Sequence, residues 1–526
     1  MLGLYLNKCR TAACFFAEGY PEIKGVCFFK HGLLFRLFLC LHDLGFWSVQ
    51  RIIGGTGMEQ TKKWGFWLLT AFVVGNMVGS GIFSLPSSLA SIASPLGATS
   101  AWLLTGAGVL MIALVFGHLS IRKPELTAGP QSYARALFSD PKKGNAAGFT
   151  MVWGYWVASW ISNVAIITSL AGYLTSFFPI LVDKRVLFAV GSQEVTLGQL
   201  LTFAVCTILL WGTHTILVAS INGASKLNFI TTFSKVLGFV FFIIAGLFVF
   251  QTTLFDHFYF PIQGENGTSI GIGGQVHNAA ISTLWAFVGI ESAVILSGRA
   301  RTQRDVKRAT ITGLLIALSI YIIVTLITMG VLPHDKLVGS EKPFVDVLYA
   351  IVGNAGSVIM ALLAILCLFG TMLGWILLGS EVPYQAAKAG DFPAVFAKTN
   401  KKGSPVISLI ITNVMSQVFI FSVISRTISD AFTFLTTAAT LAYLIPYLVS
   451  AIYSLKLVIK GETYDQLKGS RVKDGLIAIL ACVYSLFVIV TGTADLTTFI
   501  LGIGLFFVGL VIYPFVIKKF SKEKQA

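Results

Sequence analysis

The chain has 526 residues, is 55% hydrophobic and only 12% charged, and its mean hydropathy of +0.81 excludes a soluble globular protein in favour of one that crosses a membrane many times. A net charge of +15 in a soluble protein would suggest a nucleic-acid partner, but here Lys and Arg gather on alternate loops between apolar segments, which makes them orientation signals and removes nucleic acid as a partner. The seven cysteines contain no C-x-x-C pair and no metal-ligand spacing, so neither a disulfide, a metal nor any other cofactor is expected.

Residues 1–57 hold Cys9, Cys14, Cys27 and Cys40 among mixed basic and aromatic residues and read as an appended leader. The apolar run from Leu33 to Leu41 is interrupted by Arg36 and lacks the small-residue cleavage pattern of a secretory signal. Met58 to Lys63 reads as the start of a cytoplasmic end, so 1–57 is expected to be a dispensable extension and 58–526 a single transmembrane domain. Apolar stretches of the roughly 20 residues a bilayer requires follow near 66–91, 97–120, 147–178, 197–219, 227–250, 276–298, 309–332, 354–378, 405–424, 431–455, 475–491 and 496–517. The expectation is an all-α polytopic membrane protein of about 12 helices in a lipid bilayer. Loops carrying Lys62 and Lys63, Arg122 to Lys143, Lys226, Arg299 to Arg308, Lys388 to Lys402, Lys456 to Lys473 and Lys518 to Lys524 alternate with loops holding only Lys184, Arg185, Lys336, Lys342 and Arg426. The positive-inside rule then places both termini in the cytoplasm and makes the number of spans even.

Glycines interrupt the first span at Gly75 and at Gly79-Ser80-Gly81, and the sixth at Gly289. A break at membrane depth frees backbone groups that hydrocarbon cannot satisfy, so it persists only where it is buried or lines a cavity. Two breaks in corresponding positions of two halves predict a five-plus-five inverted repeat followed by two extra helices. Gly79-Ser80-Gly81 offers backbone amides suited to a carboxylate, although Gly-x-Gly alone also serves close helix packing. On the third span, Trp156, Trp160 and Asn163 share a spacing that suits a polar face.

Ionisable side chains clear of the span ends are nearly confined to His118, Lys235 and Glu291, and each costs at least about 2.5 to 3.5 kcal/mol at the bilayer centre. His118 lies near Arg122 and reads as an interfacial histidine. Lys235 follows Thr231-Thr232-Phe233-Ser234, whose hydroxyls could line one cavity face; either its ammonium replaces a sodium ion there, or its stem lies in the core and its head snorkels to the interface. Glu291 stands two residues past Gly289 and is the proton-titrating candidate, against the plainer reading of a neutral carboxyl bonded to a neighbouring helix. Trp285 lies six residues before it and can share its face, offering cation–π attraction to a ligand. Asn266-Gly267-Thr268 is a formal glycosylation sequon, and the proline-punctuated basic stretch 381–405 reads as a loop facing anionic lipid.

Gly79-Ser80-Gly81-Ile82-Phe83, Gly129-Pro130 with Ser132-Tyr133-Ala134, Trp160-Ile161-Ser162-Asn163, Leu284-Trp285 with Gly289-Ile290-Glu291-Ser292, Gly374-Trp375, Glu381 to Lys388 and Pro446-Tyr447 together resemble the basic amino acid/polyamine antiporter family of the amino acid–polyamine–organocation superfamily. The resemblance spans about residues 60 to 520. It implies that Ser80 and Gly81 meet a substrate α-carboxylate, that carbonyls from Trp285 to Gly289 meet the α-amino group, and that Asn163, Trp285 and Trp375 touch the substrate. It implies a proton-sensitive role for Glu291 as well, and carriers of this family are often homodimers. Lys235 departs from the arginine–agmatine exchangers and is similar to the fifth-helix lysine of proton-coupled permeases and arginine–ornithine antiporters. The implied activity is exchange of a cationic amino acid such as arginine or lysine for ornithine or a related amine across a bacterial inner membrane. The rivals are proton-coupled symport of neutral amino acids through Lys235 and a non-transporting membrane sensor; no H-E-x-x-H, G-x-S-x-G or acidic metal cluster marks an enzyme.

Overall fold

The computed structural model describes residues 63–492, 504 and 508–514, apart from 84, 128, 191–192, 264–267, 339, 341–342, 422–425 and 468. Within these it describes no side chain for 80, 83, 88, 182, 190, 193, 281–282, 285, 426–442 or 491–492. The expected leader, Asn266 of the sequon and most of the twelfth span lie outside the described residues.

The first span is two helices, α1 (Phe66–Met77) and α2 (Leu85–Ile92), joined by a 3₁₀ turn at Ser80–Phe83. Then come α3 (Pro95–Arg122), the short amphipathic α4 (Pro130–Leu137), and α5 (Pro141–Leu174), α6 (Leu197–Ala219) and α7 (Ile221–Phe248). The sixth span breaks between α8 (Ile272–Trp285) and α9 (Ser292–Ile295), which runs on as a 3₁₀ turn at Leu296–Arg299. α10 (Gln303–Val331), α11 (His334–Val338), α12 (Pro343–Val352), α13 (Asn354–Lys388), α14 (Val406–Ile420), α15 (Arg426–Lys460) and α16 (Arg471–Gly492) complete the described helices. Eight described helices are long and apolar enough to cross a membrane. Two small hairpins, β1 (Val186–Val190) with β2 (Gln193–Thr196) and β3 (Ile262–Gln263) with β4 (Ser269–Ile270), are antiparallel and lie in connections between spans.

Polar caps set where these apolar helices begin, because the first turn of each leaves N–H groups without intrahelical partners. Ser94 accepts from Gly97 ahead of α3, Asp140 from Lys142 ahead of α5, Thr302 from Asp305 ahead of α10, and Thr196 forms a reciprocal capping box with Gln199 at α6. The first and sixth spans run in opposite directions. Trp64, just before α1, donates to Arg299 O (2.9 Å) and accepts from Arg301 N (2.7 Å) at the end of the sixth span, while Gln275 in the first turn of α8 accepts from Ser94 N (3.0 Å) beyond the end of α2. That opposition is the inverted repeat: α1 to α7 form one five-span unit, α8 to α15 the other, and α16 follows.

Both breaks sit at the centre. α1 packs on α7, α10 and α13; α9 packs on α1, α10 and α13; α5 packs on α13 and α15. The span expected at 354–378 continues to Lys388 with Pro383 inside it, so the stretch expected as a loop from 381 begins only at 389. Hydropathy alone ends this helix early because Glu381 looks like a boundary; in the fold Glu381 is buried and paired with Arg299 at 2.9 Å.

Candidate functional site

At the first break, Val78 N bonds Val74 O and Gly79 N bonds Met77 O (2.8 Å each), which closes α1 and leaves the Gly75 and Val78 carbonyls to find donors outside the helix. Lys235 supplies them. Its side chain is 3% exposed, and Nζ donates to Gly75 O (2.9 Å), Val78 O (2.6 Å) and Thr371 Oγ1 (2.9 Å). Three ammonium hydrogens meet three oxygens, so the alternative in which Lys235 snorkels to the interface does not describe this protein. Thr232 Oγ1 bonds Ala71 O (3.3 Å) from the same helix face, whereas Phe233 is exposed and Ser234 half-buried, so the expected row of hydroxyls narrows to Thr231 and Thr232.

The second break turns at Gly289, whose φ of +110° only glycine adopts readily. A Cβ there would also stand 3.1 Å from the carbonyl carbon of Asn76, so glycine is what allows the two breaks to touch. They are bonded to one another: Asn76 Nδ2 donates to Ser292 Oγ (2.9 Å), and Ser292 Oγ donates to Gly289 O. Trp375 Nε1 donates to Asn76 O (3.0 Å). Asn76 thus joins α1, α9 and α13 at the point where both helices are interrupted.

A cavity of about 40 Å³ lies between the breaks, lined among others by Asn76, Gly79, Gly81, Ser162, Thr371 and Trp375. Ligand pockets run to roughly 300–1,000 Å³, so this conformation is closed around its centre. On one side Ser162 Oγ and Tyr443 OH are 2.9 Å apart and the Tyr443 ring meets both Trp375 and Tyr155. Tyr155 leads to Glu291, which is fully buried: Tyr155 OH donates to Oε1, Tyr447 OH to Oε2, and Gly289 N to Oε2 at 3.1 Å. The carboxylate therefore ties the sixth-span break to α5 and α15, and a proton on it would turn an acceptor into a donor and disrupt that tie.

Of the expected site residues, Gly81 and Trp375 line the cavity, Gly289 makes the second turn, and Lys235 and Glu291 stand at one break each. The side chains of Ser80 and Trp285 lie outside the described residues; their backbones open the 3₁₀ turn and close α8. Asn163 is buried with neither amide atom bonded among the described residues, and it does not line the cavity; its neighbour Ser162 does. The expected polar face of Trp156 and Trp160 is instead a packing face. Trp156 Nε1 bonds Thr412 on α14 (2.8 Å) and its ring meets Trp160, Phe392 and Phe396. Asn76, Tyr155 and Tyr443 carry no charge, so the cost of charge at membrane depth, which marks Lys235 and Glu291 in the sequence, does not mark them.

On the face that carries the basic loops, ion pairs among the described residues fasten neighbouring elements. Arg299 donates Nε to both oxygens of Glu381 (3.0 Å each), Arg122 Nη2 lies 2.9 Å from Asp474 with His118 Nδ1 3.4 Å from the same carboxylate, and Arg135 Nη1 lies 2.6 Å from Asp391.

Two antiparallel spans that break beside each other, bonded together and closed around a small polar cavity, define a secondary transporter. Residues 65–517 match the family model described as "Amino acid permease", and the chain belongs to the amino acid permease family. Among similar proteins, "Putative arginine/ornithine antiporter" of Bacillus subtilis (strain 168) is 95% identical over 469 residues, 89% of this chain and 100% of that protein. "Arginine/ornithine antiporter" of Pseudomonas aeruginosa is 34% identical over 441 residues, 82% of this chain and 87% of that protein. A protein of the same name from Latilactobacillus sakei is 31% identical over 432 residues, 82% and 86% of the two chains.

Proposed function

We propose that this permease is an antiporter that exchanges arginine or lysine for ornithine or a related amine by alternating access around its two helix breaks. The observation that carries the reading is the Lys235 ammonium held by Gly75 O, Val78 O and Thr371. It occupies the oxygen-lined break with a charge the protein brings itself, so the carrier needs no sodium. The names of the relatives at 95% and 34% identity support arginine and ornithine as the pair.

In this reading Ser80, Gly81 and Gly289 offer backbone groups to the α-carboxylate and α-amino group, Asn163, Trp285 and Trp375 contact the rest of the substrate once the breaks move apart, and Glu291 senses its charge. The protein sits in a bacterial inner membrane with both termini in the cytoplasm, carries no catalytic activity, binds no nucleic acid and forms homodimers. Residues 1–57 are dispensable for transport, a reading supported by the 95% identical relative being matched over its whole length of 469 residues, the length of 58–526. A second reading, proton-coupled symport of neutral amino acids, is favoured by the same Lys235.

Uptake of radiolabelled arginine into proteoliposomes separates the two. Fast uptake only into vesicles preloaded with a cationic amino acid supports exchange; uptake into empty vesicles under a proton gradient supports symport. No arginine uptake under any loading would overturn the cationic assignment.

A further inference from the structure

A second cavity, of about 350 Å³, opens on the basic-loop face. Glu125, Thr127, Ser132, Arg135, Asn145 and Asp391 supply its polar lining, drawn from the 123–129 connection, α4, the first turns of α5 and the segment after α13. It is distinct from the central cavity. Asn145 precedes Tyr155 by ten residues of α5 and Ser162 by seventeen, roughly 15 and 26 Å along a helix axis at 1.5 Å per residue, so the tyrosine–Glu291 tie lies between the two.

We propose that this cavity is a second amino acid site, which holds a zwitterion with a basic side chain on the basic-loop face before it enters or after it leaves the central site. The proposal rests on the antiporter reading. One buried polar group in the lining has hydrogen-bonding capacity that no described residue takes up. Ser132 is 4% exposed and its hydroxyl has no partner among the described residues. The Asp391 side chain is 3% exposed and is answered by Arg135, whose Nη1 stands 2.6 Å from Oδ1 and also bonds Ala389 O (3.0 Å). Buried polar atoms in folded proteins nearly always find a partner, so the Ser132 hydroxyl in the lining of this cavity points to a ligand that supplies one.

The charges choose the ligand. Two carboxylates, Glu125 and Asp391, face one guanidinium, Arg135, whose side chain is 42% exposed and pairs with Asp391. A basic amino acid carries the opposite set, two cationic groups and one carboxylate, and matches all three. An anionic headgroup would meet two like charges against one partner and is disfavoured. Held at the mouth of the pathway, such a ligand raises the local supply of substrate on that face without entering the closed centre.

The test uses the purified full-length protein with radiolabelled arginine. Equilibrium dialysis gives two arginines per chain for the wild type and one for Glu125→Gln, and separately one for Ser132→Ala; Glu125 is exposed, so its variant folds. In oriented proteoliposomes, Glu125→Gln raises KM by about tenfold, the loss of one charged contact, on the basic-loop face and leaves KM on the opposite face unchanged. One arginine per chain in the wild type, two in both variants, or an equal KM change on both faces overturns the proposal while exchange survives. No arginine bound at any site overturns the antiporter reading and this proposal with it.

Discussion

Replacing Lys235 with Met keeps most of the buried stem and removes the ammonium that satisfies the first helix break. Gly75 O would retain Thr371 Oγ1 at 3.1 Å, but Val78 O would be left with only Thr371 Oγ1 at 3.5 Å and the Cys367 thiol at 3.6 Å. A buried carbonyl left unsatisfied costs about 1–3 kcal/mol, and a lost bond to a charged donor about 1.5–3 kcal/mol. Relief of the buried ammonium offsets part of this, so the expected net destabilisation is about 2–3 kcal/mol. A thermal-shift assay in detergent would show a fall in Tm of roughly 2–3 °C, partly restored by sodium in Lys235→Ala, where the freed oxygens suit a cation. An unchanged Tm in Lys235→Met, or sodium-dependent transport by the wild type, would refute the role given to this ammonium.

Glu291→Gln preserves shape but replaces an acceptor oxygen with a donor that must face the Tyr155 or Tyr447 hydroxyl; exchange should slow by at least about tenfold and lose its pH dependence, measured as counterflow rates across pH 5 to 8. Gly289→Ala forces a side chain into a φ of +110° and against Asn76; at about 1–3 kcal/mol of strain it should express poorly or transport at a small fraction of the wild-type rate, read from initial uptake at matched protein. Burial pushes the Asp391 carboxyl up to about 6 from 3.8 despite the Arg135 guanidinium, with Tyr513 the other titratable group facing it. Because the folded value is raised, the protonated form is the one the fold favours: its contribution to stability is present below pH 3.8 and is lost as pH rises through about 6. Arginine affinity on the basic-loop face should move the other way, weakening as pH falls through about 6, and Asp391→Asn should flatten that profile.

Much of this arrangement can be read from sequence because hydrocarbon leaves few choices. Charges at membrane depth are expensive, so Lys235 and Glu291 stand out against their surroundings, and glycines such as Gly79 and Gly289 mark where a helix cannot continue. What periodicity does not reveal is which partner answers each exposed group. Glu381 sits at the edge of an apolar run and reads as a loop residue until Arg299, far away in the chain, is seen to neutralise it. Tyr155 lies in an aromatic stretch that reads as packing, and only its hydroxyl's contact with Glu291 distinguishes it from Trp156 one residue on, which does pack. For Asn163, a spacing that suits a polar face does not decide whether that face reaches the cavity in this closed conformation.

The most direct test of exchange around the two breaks is a dual-label flux measurement in proteoliposomes, with radiolabelled arginine outside and ornithine carrying a second label inside. The account predicts one ornithine released for each arginine taken up, no net flux of either without the other, and no change when sodium is replaced by potassium. Arginine uptake that proceeds without ornithine release, or that follows a proton gradient into empty vesicles, would contradict it.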